Sequence, residues 1–365
     1  MDEGLPGRAP GQAMTEVIRV NPASPDAESI ARAAACLRRG GLVAFPTETV
    51  YGLGVHALDR LAVLRLFAAK GRPANDPLIV HVSSLAEVPP LVVELPPHAA
   101  LLAERFWPGP LTLIMRRRLS VPSEISAGLD TVAIRVPAHP VARALLRAAS
   151  VPVAAPSANL FSRPSPTRAE HVLEDLDGRI DMLIDGGTTD VGLESTVLDL
   201  MVDPPLVLRA GAIGLEALRT VLPNVMALAP RSPSDDRVPK TSPGLLSKHY
   251  APRAPVTIYR GETGRAREAI RLAATAAIAA GKRVGVLATS EDAAVLHSLP
   301  VVFADLGHED SVEIVASRLY SALRDLDLAE VDLVLARDVA RDEGLWRAIG
   351  DRLQRAAASV IDVSS

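Results

Sequence analysis

Apolar residues in the first seventy positions form two helical stripes with a short apolar run between them. The first helix is predicted to begin near Asp26 and to end at Gly40-Gly41, with these residues on one face: Ile30, Ala34 and Leu37. The run 42–45 that follows is typical of a buried strand. A second helix is predicted to end at Gly71, because glycine readily adopts the left-handed conformation after a helix. Its predicted buried stripe consists of Leu61, Leu64 and Phe67.

Short apolar runs dominate the stretch after this second helix, with few helical stripes between them. They lie at 78–82, 111–115, 132–136, 151–155, 182–184, 196–200 and 206–208. Strands therefore outnumber helices in this part of the chain. This imbalance favours a twisted mixed sheet with helices packed on it over a strict alternation of strand and helix.

A break in the pattern at 223–255 divides the chain. This segment has seven prolines and no apolar periodicity, so it is predicted to be a linker between domains at 16–222 and 256–365. After it strands and helices alternate strictly, which predicts a small parallel α/β, Rossmann-like sheet. No G-x-G-x-x-G follows the first strand of that sheet, so the pattern indicates no dinucleotide site. Residues 1–15 are predicted to be a disordered extension, with Met14 as an alternative start.

Composition narrows the class of protein. The 365 residues are 48% hydrophobic and carry a formal charge of -4, which excludes a generally basic coat for nucleic acid. The single cysteine, Cys36, excludes an intramolecular disulfide and fits a reducing compartment, so the cytoplasm is expected. No apolar run reaches the roughly 18 residues that a membrane-spanning helix needs, so no membrane partner is expected.

Cationic side chains interrupt the pattern at two places. Lys70 and Arg72 flank a glycine at the end of the second helix, where they suit phosphate oxygens, although these residues taken alone favour a solvated helix end. Arg135 lies in an apolar strand and needs a counter-charge, because a buried unpaired cation costs several kcal/mol, roughly. A structural ion pair and an amino-acid carboxylate would each satisfy that need. His81, also in an apolar strand, would by itself most often be a core histidine.

Hydroxyl and amide groups cluster where predicted strands begin or end. The segments concerned are 46–54, 155–159, 164–167 and 192–197, and the segment 208–213 ends a further predicted strand with an arginine, Arg209. Ligands of α/β sheets usually bind at such ends. Helix capping and turn chemistry explain each segment taken alone.

Taken together and in their order along the chain, the polar and cationic segments described above resemble the motifs of the YrdC-like threonylcarbamoyladenylate synthases. The resemblance rests on 46–54, 70–82, 108–112, 133–137, 155–159, 164–167 and 192–197, and it covers residues 16 to about 220. The segment 242–252 and the α/β tail resemble the longer, two-domain branch of that family. The resemblance implies a twisted mixed sheet whose concave face holds ATP and threonine, with the linker crossing the mouth.

The resemblance also assigns roles to individual residues. Lys70 and Arg72 would be catalytic, through charge neutralisation. The residues expected to bind ATP are Lys70, Arg72, Asp76, Thr131, Ser157, Asn159, Ser165, Arg209 and Tyr250. The residues expected to bind threonine are Thr49, His81, Arg135, Ala155 and Ser195. No acidic cluster has metal-ligand spacing, so Mg2+ is expected to arrive with ATP and to keep water ligands.

The implied activity is the synthesis of threonylcarbamoyl-AMP and pyrophosphate from L-threonine, bicarbonate or CO2, and ATP, for t6A modification of tRNA position 37. A downstream enzyme would transfer the threonylcarbamoyl group to the tRNA. One alternative is an RNA-binding module, although the acidic net charge and the 3% aromatic content argue against stacking on bases. Another is the carbamoyl-adenylate step of hydrogenase maturation, whose Cys-rich zinc modules this chain cannot form with one cysteine.

Overall fold

The structure, a computed structural model, describes residues 14–227, 240–242, 250–339 and 341–363. Most of the predicted extension at 1–15 and much of the predicted linker at 223–255 lie outside these residues. Thr15 is described, and it is buried: its hydroxyl donates to the carbonyl of Ile180 at 3.2 Å and accepts from the amide of Gly178 at 2.9 Å. The prediction that the extension reaches residue 15 is therefore wrong, because these bonds fasten Thr15 to the first sheet.

Eleven strands form one sheet in the described part of the N-terminal half. They are β1 (Glu16–Arg19), β2 (Val43–Pro46), β3 (Tyr51–His56), β4 (Ile79–His81), β5 (Leu111–Arg116), β6 (Thr131–Arg135), β7 (Val153–Ala154), β8 (Met182–Asp185), β9 (Thr196–Asp199), β10 (Leu206–Arg209) and β11 (Met226–Ala227). Their order is β1-β8-β2-β3-β7-β4-β6-β5-β9-β10-β11. The sheet contains parallel pairs such as β4 with β6 and antiparallel pairs such as β5 with β6, which confirms the mixed sheet.

Helices pack on this sheet. They are α1 (Ala27–Arg38), α2 (Arg60–Lys70), α3 (Pro97–Phe106), α4 (Pro140–Ala149), α5 (Ala169–Leu176) and α6 (Leu215–Arg219), with short 3-10 turns at Leu85–Glu87 and Ser123–Ser126. The side chain of Asp26 caps α1, and Gly71, with φ of 62°, ends α2 as predicted. The predicted buried stripe of α2 is wrong in part, because Leu61 and Leu64 are exposed. The helix is apolar nearly all round, so periodicity could not identify the face that packs inward.

The second sheet is entirely parallel, as predicted. Its strands are β12 (Val256–Arg260), β13 (Val284–Ala288), β14 (Val302–Asp305), β15 (Leu333–Arg337) and β16 (Ala357–Asp362), in the order β14-β13-β15-β12-β16. The helices between them are α7 (Thr263–Ala279), α8 (Ser290–Leu296), α9 (Val312–Leu328) and α10 (Gly344–Ala356). None of the helices in the ranges described is both long and apolar enough to cross a membrane.

The two sheets share a buried seam. Val50 and Leu193, from loops of the first sheet, belong to the apolar cluster that fills the second half, together with Leu319 of α9. Gly192 has a φ of 74°, and a Cβ atom there would lie 2.4 Å from the Cα of Ser317. Only a residue without a side chain allows the loop before β9 to approach α9 this closely.

Candidate active site

A pocket forms where loops and strand ends of the first sheet meet under Tyr250. Nine of the predicted site residues line it: Thr49, Arg72, His81, Arg135, Ala155, Ser157, Ser195, Arg209 and Tyr250. His81 and Arg135 end the parallel neighbours β4 and β6 and are register partners, so their side chains reach the same edge. Residues that the sequence analysis did not single out also line the pocket, namely Thr47, Val50, Gly52, Pro77, Ile79, Pro156 and Glu194.

Arg135 has an internal counter-ion. Its Nη2 lies 2.7 Å from Oε1 of Glu48, its Nη1 donates to the Thr49 hydroxyl at 2.9 Å, and its Nε donates to the carbonyl of Gly109 at 3.3 Å. Of the two explanations that the sequence left open for this buried cation, the ion pair is the one that the structure contains. A substrate carboxylate is therefore not needed to balance Arg135, and its binding there stays a prediction.

Glu48 is a functional candidate that sequence reasoning missed. Its other oxygen, Oε2, accepts from the amide of Ala138 at 3.0 Å, so the carboxylate is fixed at both oxygens beside the pocket. The available signal was its position: Glu48 stands in the same polar turn as Thr49, directly after a buried strand.

Two hydroxyl groups in the pocket wall are oriented by neighbouring side chains. The hydroxyls of Thr47 and Thr49 are 2.7 Å apart, and Thr47 donates to the carbonyl of Val50 at 2.7 Å. On the opposite wall Ser195 Oγ lies 2.7 Å from the hydroxyl of Thr112 and accepts from Nη2 of Arg209 at 3.1 Å. These bonds hold Thr49 and Ser195 in place before any ligand arrives.

Arg72 lines the pocket from the turn that follows α2. Its Nε donates to the carbonyl of Asp76 at 3.1 Å, its Nη2 to that of Pro77 at 2.7 Å, and Nη2 lies 2.9 Å from Asp76 Oδ2. Asp76 is fully buried and is not among the pocket-lining residues. The structure thus places Asp76 as the counter-ion of Arg72 rather than at the pocket surface predicted for it.

Lys70 is also outside the pocket wall. Its Nζ donates to the carbonyl of Ser157 at 2.6 Å and to that of Asn159, so it fastens the loop after β7 to the end of α2. Burial, followed by the nearby charge of Arg72, lowers the pKa of Lys70 well below its ordinary value. The structure does not bring Lys70 to the position expected of a phosphate ligand, and its catalytic role stays a prediction.

Three further predicted ATP contacts are not in the pocket wall. Asn159 donates through Nδ2 to the carbonyls of Leu160 at 2.6 Å and Arg163 at 3.0 Å. Ser165 is buried and donates to Glu194 at 2.5 Å. Thr131 begins β6, about 13 Å of extended chain from Arg135 at its other end. Local motif order could not show that these side chains are turned toward neighbouring protein groups or lie at the far edge of the sheet.

His81 lies in the pocket wall as a neutral imidazole. Burial, with a contribution from Arg135, lowers the pKa of His81 to about 3. Its Nδ1 lies 3.2 Å from the carbonyl of Ile79. At neutral pH His81 therefore offers hydrogen bonds and no charge.

This lowered pKa predicts a pH dependence of stability. Below the unfolded value of about 6.5 the unfolded chain binds a proton at His81 that the folded chain does not, so the free energy of unfolding falls as pH drops. We expect His81 to contribute up to about 1.4 kcal/mol per pH unit between pH 6 and 4. Urea unfolding at pH 7, 6 and 5 measures the slope, and His81→Asn should reduce it. An unchanged slope in the variant would contradict this assignment.

Within the ranges 14–227, 240–242, 250–339 and 341–363, no group of three or more His, Cys, Asp or Glu side chains is placed to hold a metal ion. The pocket offers arginines, hydroxyls and one carboxylate, that of Glu194, which is paired with Arg352. Such a donor set suits anionic oxygens, whereas Mg2+ prefers carboxylates, phosphate oxygens and water.

Two family models match successive parts of the chain. The Sua5/YciO/YrdC model, described as telomere recombination, matches residues 35–211, and the model of the threonylcarbamoyl-AMP synthase C-terminal domain matches residues 213–358. The threonylcarbamoyl-AMP synthase of Pyrococcus abyssi is 44% identical over 325 residues, which are 89% of this chain and 93% of that relative. The chain belongs to the threonylcarbamoyl-AMP synthase family. A Bacillus subtilis threonylcarbamoyl-AMP synthase is 45% identical over 90% of this chain and 92% of its own length.

Solved structures of the threonylcarbamoyl-AMP synthase family share the fold of both sheets. The crystal structure of Pyrococcus abyssi Sua5 complexed with L-threonine superposes with a TM-score of 0.88 at 42% identity. The match covers 96% of this chain and 100% of that one. It confirms the predicted fold class, a mixed α/β sheet followed by a parallel one.

Proposed function

We propose that this chain makes threonylcarbamoyl-AMP and pyrophosphate from L-threonine, bicarbonate or CO2, and ATP. The observation that carries the proposal is the pocket that the buried cations Arg72, Arg135 and Arg209 line together with the hydroxyls of Thr49 and Ser195. Such a pocket suits a triphosphate beside a free amino acid. Relatives of matching length bear the name of this activity, and one was crystallised with L-threonine.

The reaction needs no covalent enzyme intermediate. The neutral amine of threonine adds to CO2 and loses one proton to solvent, which gives an N-carboxylate. One oxygen of that carboxylate then attacks the α-phosphorus of ATP. The bond from that phosphorus to the bridging oxygen breaks, and pyrophosphate leaves with the electron pair. Positioning and charge neutralisation supply the rate enhancement, with Arg72 and Arg209 as the pocket-lining cations assigned to the phosphates and Mg2+ carried by ATP as part of the substrate.

We assign the binding of threonine to the part of the pocket that contains Arg135. The N–H groups of its guanidinium would bind the threonine carboxylate, while the Thr49 hydroxyl keeps the planar group in place. Ala155 and Ile79 add apolar wall at the same side. An apolar contact of this size for the threonine methyl group discriminates against serine by only about 10- to 200-fold.

Purified protein with ATP, Mg2+, bicarbonate and labelled threonine is expected to release pyrophosphate and to form acid-labile threonylcarbamoyl-AMP that carries the label. Pyrophosphate release should require both threonine and bicarbonate, and serine should replace threonine poorly. Phosphate release without threonine, or salt-sensitive RNA binding without pyrophosphate, would reject the proposal. We propose further that the product passes in the cytoplasm to an enzyme that modifies tRNA. We also propose that this chain itself binds RNA weakly.

A further inference from the structure

One buried carboxylate in the pocket wall takes its hydrogen bonds from both halves of the protein. Glu194 stands just before β9 and lines the pocket beside Ser195. Its Oε1 accepts from Ser165 at 2.5 Å, in the first half. Its Oε2 accepts from the Tyr320 hydroxyl of α9 at 2.9 Å and from Nε of Arg352 of α10 at 2.8 Å.

Arg352 reaches further around the same wall. Its side chain is fully buried, and its Nη2 donates at 2.9 Å to the carbonyl of Ala210, which follows the pocket residue Arg209. Its guanidinium carbon lies 5.3 Å from the ring centroid of Tyr250, and the Tyr250 and Tyr320 rings are 5.4 Å apart. Two helices of the second sheet therefore contact one wall of a pocket whose other walls come from the first sheet.

The charge of Glu194 matters because both proposed substrates are anions. A carboxylate in a wall that faces a triphosphate or a threonine carboxylate repels it unless a cation compensates. Burial raises the pKa of Glu194, but the charges of Arg352 and Arg209 outweigh burial and leave that pKa below its ordinary value. The other ionisable groups near it are Tyr250 and Tyr320, and Asp351, which is paired with Arg352 and Arg355.

The geometry points to Arg352 and Tyr320 as positioning residues of the active site, which neutralise and orient Glu194 so that the pocket accepts its anionic substrates. They touch no reacting atom. This inference rests on the proposed function, and it gives the second sheet a defined part in that function.

The first experiment measures the Michaelis constant for ATP of Arg352→Met and of the unaltered protein from pH 6.5 to 8.5. The quantity compared is the ratio of the variant's constant to that of the unaltered protein at each pH. At pH 8.5 the Glu194 carboxylate, left with Arg209 as its remaining cation, is expected to raise the constant by about 10- to 100-fold. Loss of the Arg352 charge removes one of the two cations that hold the pKa of Glu194 down, so that pKa should rise and the ratio should fall as the pH is lowered. A purely structural contact would give a ratio independent of pH.

Three further variants separate charge from packing. Glu194→Gln combined with Arg352→Met removes both charges and should abolish the pH dependence and recover most of the affinity for ATP. Tyr320→Phe removes one hydrogen bond to the carboxylate and should raise the constant by about three- to tenfold in a protein that stays folded. Arg324→Met is the matched control, because it breaks another buried ion pair between α9 and the first half. Arg324 makes no bond to Glu194 itself and touches its surroundings only through the carbonyl of Pro164, which precedes Ser165.

The outcomes distinguish this inference from the proposed function. If the unaltered protein releases no threonine-dependent pyrophosphate, the proposed function fails before any variant is compared. If it is active and the Arg352→Met ratio varies with pH while the Arg324→Met ratio does not, the inference stands. A pH-independent ratio for Arg352→Met, with no recovery of ATP affinity in the double variant, overturns the inference. An Arg324→Met ratio that varies with pH as the Arg352→Met ratio does also overturns it. If Arg352→Met does not fold, an unchanged Michaelis constant in Tyr320→Phe overturns the inference.

Discussion

Replacing Arg72 by alanine is expected to lower kcat/KM for ATP by about 100- to 1000-fold. The reason is that the side chain lines the pocket as a buried cation, where a preorganised charge stabilises phosphate oxygens far better than it would in water. Threonine-dependent pyrophosphate release at saturating threonine, measured against ATP concentration, gives the value. Arg72→Lys should recover part of the lost kcat/KM, because lysine restores the positive charge but not the planar guanidinium group that binds two oxygens at once.

Arg117 offers a matched control for this variant. Like Arg72 it donates to two backbone carbonyls, those of Leu129 at 3.2 Å and Val121 at 2.5 Å, but it is not among the pocket-lining residues. Arg117→Ala should therefore cost some stability and little activity. Equal losses of activity in the two variants would mean that Arg72 acts only by holding its turn.

Replacing Arg324 by methionine is expected to lower the free energy of unfolding by about 3 kcal/mol. The side chain of Arg324 is fully buried and joins α9 to α5, with Nη2 2.8 Å from Oδ2 of Asp175, which is equally buried. Its loss leaves that carboxylate short of a partner, although Arg163 remains in contact with the other oxygen. Urea unfolding, followed by separate signals from the two halves, measures the change.

Arg318 on the same helix provides the comparison. It lies 3.3 Å from Asp305, and both side chains are half exposed, so Arg318→Met should change stability by less than about 1 kcal/mol. Asp175→Asn combined with Arg324→Met should recover part of the loss, because no buried charge is then left unpaired. Similar losses in Arg318→Met and Arg324→Met would refute the role given to burial.

Local pattern in the sequence predicted the elements well where one face alone is apolar. In α1 the predicted face, with Ile30, Ala34 and Leu37, is the buried one, because the opposite side is polar. In α2 the same reasoning failed, since apolar residues surround the helix and tertiary packing chose the face. The parallel second sheet was predictable because strict alternation of strand and helix leaves few other arrangements.

The order of motifs in the sequence predicted many of the residues that line the pocket, but not the contacts between their side chains. The sequence showed that buried Arg135 needs an anion, but nothing in its spacing from Glu48 showed that the two would meet. Lys70 was chosen for its charge, which is directed at backbone carbonyls of the loop after β7. Glu194 and Arg352 are 158 residues apart in sequence, so only the fold reveals the pair.

The closeness of Gly192 to Ser317 restricts how the two halves of the chain can diverge. A side chain at position 192 would displace α9 from the loop that carries Glu194. A bulkier residue on the facing side of α9 would displace that loop in the same way. Accepted substitutions on either side of this contact must therefore be matched on the other. A hybrid that joins the first half of one homologue to the second half of another should inherit a working catalytic centre only if this steric match is preserved.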